Sequence, residues 1–252
     1  MINTATNAVV ATIPVGDDFP AHIGWTFFDH WRRSDPVHVA ITPDGTRAYV
    51  TNAGSHNVSV IDIATRALTA TVKVGRNPLD VAITPDGSKA YVTDTDSNSV
   101  SVINTQTNTV IATVGVGAHP LNVAITPNGA RAYVADAGAN SVAVIDTATN
   151  TVVAAVGVGA IPVDVSISPD GARTYVSNAG AKSVTVIDTG TNTVAATIGV
   201  ESIPVHVSIS PDGAHAYVTN AGSNSVSVLD TRTDAVSATV PVGIQPVNAA
   251  IF

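Results

Sequence analysis

The sequence predicts an all-β protein assembled from one repeating unit, and three observations carry that reading. Tyr-Val recurs at Tyr49, Tyr91, Tyr133, Tyr175 and Tyr217, always 42 residues apart, and these are all five tyrosines of the chain. A proline opens each unit, at Pro36, Pro78, Pro120, Pro162 and Pro204, with a truncated unit at Pro246. Helical periodicity is missing, while β-branched runs alternate with turn residues throughout.

Each unit carries four strand signals in a fixed order. The first is an inner run such as PVHVAI (36–41), closed by Pro-Asp-Gly, or by Pro-Asn-Gly at Asn128. Asp-Gly and Asn-Gly between β runs are hairpin signals, because glycine takes positive φ without a steric cost. The second is AYV followed by Asn or Asp. The third is SVxVID, rich in β-branched residues, and a polar turn leads into a fourth such as TVVAAV (151–156). Four strands in about 40–45 residues is the period of a β-propeller blade.

YVTN at 49–52 and 217–220, with YVTD, YVAD and YVSN between them, resembles the YVTN-family β-propeller repeat. That family includes surface-layer-like and related soluble propellers. The resemblance spans residues 36–252 and implies the fold. It implies no function, because propellers host unrelated activities and the family is built on repeats rather than on a catalytic signature. No site residue is carried over from it.

Five full units occupy 36–245, and the remaining residues, 1–35 and 246–252, together make one more repeat length. The expectation is a single domain over 1–252: a six-bladed β-propeller of 42-residue repeats. Its ring is closed by N- and C-terminal strands in an irregular sixth blade. PVNAAIF (246–252) matches a first strand, and INTATNAVVATIPVG (2–16) matches the end of a third strand and all of a fourth. Residues 17–35 match no repeat, yet they hold both tryptophans and three of the four phenylalanines. HIGWTFF (22–28) is expected to form a hairpin with the 8–15 strand. Residues 29–34 then cross to blade one near a channel mouth.

Composition excludes several classes. The net charge is −8 and only 12% of residues are charged, so the basic footprint that phosphate backbones demand is missing and no nucleic-acid partner is expected. There is no cysteine, which excludes disulfides, thiolate metal sites and cysteine nucleophiles. No apolar run is long enough for a spanning helix. The start shows no signal-peptide pattern, which points to the cytoplasm by default, or to export if a leader has been removed.

A repeat protein offers an internal comparison. Constant positions are the frame, and positions that change in kind are where function can reside. Asp44, Asp86, Asp170 and Asp212 read as hairpin-turn residues. Asp62, Asp146, Asp188 and Asp230 read as Asx caps ending the third strand. Asn52, Asp94, Asp136, Asn178 and Asn220 are assigned the same role after the second strand. The spacing of Asp94, Asp96 and Asn98 hints at a calcium loop, but the glycine and the closing glutamate are missing, so an Asx turn is expected there.

The third residue of each unit varies: His38, Asp80, Asn122, Asp164, His206 and Asn248. All are polar, on the strand expected to line a central channel, where burial demands partners. Neighbouring blades place His38 beside Asp80 and Asp164 beside His206. A carboxylate that orients an imidazole makes a general base near neutral pH. These four are therefore the candidate catalytic residues. Ligand contacts are assigned to His22, Trp25, Trp31, Arg32, His119, Asn122 and Asn248. A divalent metal, if one is held, would take His38, His119 and His206.

Two functions compete. One is a small-molecule-binding propeller, an acid–base enzyme of lyase, isomerase or hydrolase type, with its site at the channel mouth under 17–35. The other is a non-catalytic structural or protein-interaction propeller of surface-layer-like type. The partner is correspondingly a small molecule or another protein, and the sequence leaves the oligomeric state open.

Overall fold

Local hydrogen bonding starts each hairpin. In the computed structural model, which describes residues 2–3, 8–16 and 36–249, the Thr42 hydroxyl donates to Asp44 Oδ1 at 2.6 Å. The same oxygen accepts the Thr46 N–H at 3.0 Å, and the Arg47 N–H donates to Thr42 Oγ1 at 3.0 Å. Gly45 then turns the chain at φ +70°. Equivalent bonds join Thr84 to Asp86, Thr126 to Asn128, Ser168 to Asp170 and Ser210 to Asp212. At the next corner Asp62 Oδ1 accepts the Thr65 N–H at 2.7 Å, an Asx turn. The turn and cap roles expected of these aspartates are thus realised. Their hydroxyl and amide donors also hold the Asp44 and Asp62 carboxyls below the ordinary carboxylate value.

Between these turns the β-branched runs pair as antiparallel ladders. A short hairpin of β1 (Ile2–Asn3) and β2 (Ala8–Val9) comes first. Sheet one holds β3 (Pro36–Ile41), β4 (Arg47–Asn52), β5 (Asn57–Asp62) and β6 (Ala67–Lys73). Sheet two holds β7 (Pro78–Ile83), β8 (Lys89–Asp94), β9 (Ser99–Asn104) and β10 (Thr109–Gly115). Sheet three comprises β11 (Pro120–Ile125), β12 (Arg131–Asp136), β13 (Ser141–Asp146) and β14 (Thr151–Gly157). Sheet four follows with β15 (Pro162–Ile167), β16 (Arg173–Asn178), β17 (Ser183–Asp188) and β18 (Thr193–Gly199). Sheet five closes the series with β19 (Pro204–Ile209), β20 (His215–Asn220), β21 (Ser225–Asp230) and β22 (Ala235–Pro241). These five four-stranded sheets among the described residues match the five full units. At Asp94–Asn98 the chain makes a three-residue 3-10 turn, Thr95–Ser97, and Asn98 is left-handed.

The chain divides into two compact parts, residues 1–113 and 114–252. In the first, Tyr49, Val58, Val60 and Val72 of sheet one pack on Val81, Ala90, Val92 and Ile103 of sheet two. In the second, Tyr133, Val142, Val144 and Val156 of sheet three pack on Val165, Val176 and Ile187 of sheet four. Sheet four meets sheet five in the same way. Small β-branched side chains suit this face-to-face stacking, and each contributes about 1.5–3 kcal/mol when fully buried. Tyr49 carries its hydroxyl through the apolar layer to Asn108 Oδ1 at 2.8 Å, and Tyr133 reaches Asn192 Oδ1 at 2.7 Å. A buried tyrosine thus supplies area and still satisfies its polar end.

The terminal segments follow the repeat in part. Ile2↔Val9 and Asn3↔Ala8 pair in the register of Ile61↔Leu68 and Asp62↔Ala67. Ile13 and Val15 then lie on Ala48, Val50 and Ile61 of sheet one, as Val72 and Val74 lie on Ala90, Val92 and Ile103. Of the third-strand end and full fourth strand expected from 2–16, regular pairing is seen at Ile2–Asn3 and Ala8–Val9, and residues 10–15 are not strand. Residues 246–249 form no ladder, but Ser208 Oγ donates to the Ala249 carbonyl at 2.6 Å, just as Ser166 Oγ donates to Val207 at 2.7 Å. The hairpin expected at 22–28, and with it His22, Trp25, Trp31 and Arg32, lies outside the described residues. Among the described residues no helix is long and apolar enough to cross a membrane.

Candidate functional site

The inner strands β3 and β7 each break register near the third residue of the unit, between Pro36 and Val39 and between Pro78 and Val81. Such bulges re-aim side chains. The amides released from the ladder find hydroxyls instead. The His38 N–H donates to Thr51 Oγ1 at 3.0 Å, and the Asp80 N–H donates to Thr93 Oγ1 at 3.0 Å. Thr51, fully buried, donates its own hydroxyl to the Leu79 carbonyl at 2.9 Å. One side chain thereby ties β3 to β7 immediately beside the third residues.

The result is a His–Asp contact. His38 Nδ1 lies 2.7 Å from Asp80 Oδ1, with the imidazole 50% exposed and the carboxylate only 8% exposed. The contact is an ion-pair approach rather than an aligned hydrogen bond, and with Nδ1 on the carboxylate side Nε2 is left as the reactive nitrogen.

His38 stands in the wall of a cleft of about 730 Å³ on the open face of sheet one. Ile13, Val15, Val39, Ile41 and Val50 give it an apolar surface, and His38 and Arg66 are the polar side chains among its described lining residues. Arg66 reaches across to donate to the Val10 carbonyl at 3.3 Å. A mostly apolar concavity with a few placed polar groups is the usual form of a small-molecule site.

The other ring residues behave differently. Asp164 Oδ2 accepts the Val207 N–H of the next sheet at 2.8 Å, and Asn122 Oδ1 accepts the Val165 N–H at 3.1 Å. Asp164 makes no ion pair with His206. The His206 Nδ1 is buried without a hydrogen-bond partner, and burial pushes the imidazole pKa down. The two His–Asp neighbours expected from sequence are therefore unlike: one pair forms, while the other aspartate latches backbone. His119 takes a left-handed conformation at φ 52° before Pro120, and its carbonyl accepts the Ala137 N–H at 3.0 Å. Asn248 is exposed. Among the described residues no three His, Asp or Glu side chains converge as metal ligands.

The residues ending the second strand need a correction. They are not turn caps; they are fully buried plugs. Asn52 Nδ2 donates across the hairpin to Asn57 Oδ1 at 2.7 Å and to Ser59 Oγ at 2.9 Å. Asn178 and Asn220 bond likewise to hydroxyls five and seven residues on. Asp94 receives Ser101 at 2.6 Å, yet burial pushes its carboxyl up to about 6. Asp136 fares worse, because Ala143 stands where the other units have Ser or Thr. Neither of its oxygens meets a donor in hydrogen-bond geometry. Burial pushes it up to about 7, the nearby amides of Gly117 and Ala143 offsetting only part of the cost. Gly117 must be glycine, since an added Cβ would fall 2.7 Å from Asp136 Cβ.

Residues 30–206 match the profile of the YNCE-like beta-propeller family. The chain belongs to that family. Its sheets are accordingly propeller blades, and are called so below. Two solved structures share the architecture. Hydrazine synthase from Kuenenia stuttgartiensis is 23% identical with a TM-score of 0.65, over 88% of this chain and 92% of that one. A functionally unknown protein from Desulfotomaculum acetoxidans is 22% identical with a TM-score of 0.72, over 86% of this chain and 74% of that one. Likeness at this level of identity concerns the fold alone. No curated protein matches the sequence.

Proposed function

We propose that this propeller binds a small molecule in the blade-one cleft and that His38, oriented by Asp80, exchanges a proton with it. The observation that carries the reading is the 2.7 Å His38–Asp80 contact opening on an apolar cleft. Asp80, nearly buried, fixes the tautomer and steadies an imidazolium if one forms, and Nε2 acts as the base or acid. Such a group contributes roughly 100- to 10,000-fold to proton transfers, which fits a lyase, isomerase or hydrolase. Thr51 is a positioning residue, because it sets the spacing of the two strands. Asp164 is assigned a latching role rather than a second dyad. We further propose that the terminal hairpin and residues 246–252 belong to an irregular sixth blade, the register of β1 with β2 and the Ser208–Ala249 bond supporting it.

A fragment screen followed by methyl NMR tests the reading. Hits are expected to perturb Val39 and Ile41, and Val39→Asp should abolish them. Any turnover detected should fall about 100-fold in His38→Ala. Hits that ignore blade one, or that survive Val39→Asp unchanged, would sink it.

A second reading has its own support. The outer strands expose Leu68, Ile111, Val153 and Val194, and β10, β14 and β18 carry no charge. Such edges favour protein contacts. Concentration-dependent association in size exclusion, abolished by Ile111→Lys, would support an interaction propeller.

A further inference from the structure

The repeats show which cleft residues depart from the frame. At the third position the following three blades carry Asp80, Asn122 and Asp164, where blade one carries His38. At the left-handed corner between third and fourth strands the other blades carry Asn108, Asn150, Asn192 and Asp234, where blade one carries Arg66 at φ 59°. Blade five also has a histidine at the third position, His206, but keeps an acid at the corner. Blade one alone replaces both, and both replacements line the same apolar cleft. Asparagine at this corner serves the frame, since Asn108 and Asn192 receive the hydroxyls of Tyr49 and Tyr133. Arg66 cannot accept a hydrogen bond. Among the described residues the Val10 carbonyl takes one of its bonds, and the side chain is exposed.

Among the described residues the neighbouring acids Asp62 and Asp80 have other partners. Asp62 Oδ1 is occupied by the Thr65 amide and hydroxyl, both at 2.7 Å. Asp80 is turned to His38. A guanidinium fork matches a carboxylate in plane and spacing. Resting on the cleft as a small-molecule site, we infer that its ligand is an aliphatic carboxylate. The chain lies against Val39, Ile41 and Val50, and the carboxylate sits on Arg66. His38 Nε2 supplies the second polar contact.

Calorimetric titration with octanoate and with octan-1-ol, on the wild type and on Arg66→Asn, tests this. The variant restores the repeat's own residue, so the corner keeps its left-handed turn. Octanoate is expected to bind more tightly than octan-1-ol. Arg66→Asn should weaken octanoate about five- to tenfold and leave octan-1-ol unchanged, the modest factor reflecting an exposed arginine. Equal binding of the two probes, unaffected by Arg66→Asn, would overturn the carboxylate assignment while leaving the cleft a binding site. If neither probe binds and the Val39 and Ile41 methyl resonances stay unmoved, the assignment falls together with the small-molecule reading.

Discussion

Val39 and Val81 are the same residue of the same strand in adjacent blades, yet Val39 is 54% exposed and Val81 is 2% exposed. The difference does not lie in the repeat sequence. Val81 is covered because blade one stands before blade two, with Val72 of its outer strand and Val74 just beyond that strand against it. Among the described residues, the segment before blade one contributes Ile13 and Val15, which pack on Ala48, Val50 and Ile61, while Val39 and Ile41 stay exposed. The same core position is therefore sealed between two full repeats and exposed beside the terminal segment. The apolar surface needed for binding is a core face without its lid of core.

The sharpest test of that contrast is a buried charge. Val81→Asp should cost on the order of 4 kcal/mol in urea denaturation, because an unpaired carboxylate enters a packed layer. Val39→Asp should cost less than about 1 kcal/mol. Equal losses would show that the blade-one face is closed and would remove the cleft.

Next in size is Asp136→Asn, which contrasts a blade whose plug lacks a hydroxyl with those that have one. The folded pKa of Asp136 is raised above the unfolded value, to about 7. Its stabilising contribution is thus complete below the unfolded carboxylate value and is lost as pH rises through the folded value. Asp136→Asn should match the wild type near pH 4. Above about pH 7 it should exceed the wild type by on the order of 3 kcal/mol. Thermal unfolding across this range checks the sign, and a variant advantage confined to acid pH would contradict it. Asp94→Asn should follow the same course with a lower midpoint, since its pKa is about 6.

Thr51→Val comes third. It strips partners from the His38 amide and the Leu79 carbonyl, at a cost of about 1–2 kcal/mol. It should also shift the His38 imidazole NMR signals, which a purely structural threonine would leave unmoved. The smallest expected effect is Val39→Ala, within about 0.5 kcal/mol, against about 1–3 kcal/mol for Val81→Ala.

Much of this was legible in the sequence. Asp-Gly turns, the tyrosine period and the β-branched runs placed every regular strand of the five blades, because turn chemistry and alternation act locally. The His38–Asp80 pair was legible too, since the period sets third residues on adjacent inner strands. The same logic failed for Asp164 and His206. Adjacency in a ring does not say whether a carboxylate will choose an imidazole or the nearer Val207 N–H. The cleft was not legible, because it depends on what packs before blade one. Asp136 had a readable signal in Ala143, but it required knowing that the second-strand Asn and Asp point inward rather than cap a turn.

The latches Asn122 to Val165 N–H and Asp164 to Val207 N–H run between neighbouring blades. Each amide so held is satisfied only when the preceding blade is in place. Blades of this kind are poor independent folding units: an isolated one would bare an inner-strand amide to water. Assembly of blades three to five is therefore cooperative, blades three and four each acting as a template for the first strand of its successor. Native-state hydrogen exchange should accordingly release such inner-strand amides together with the blade before them, rather than with their own.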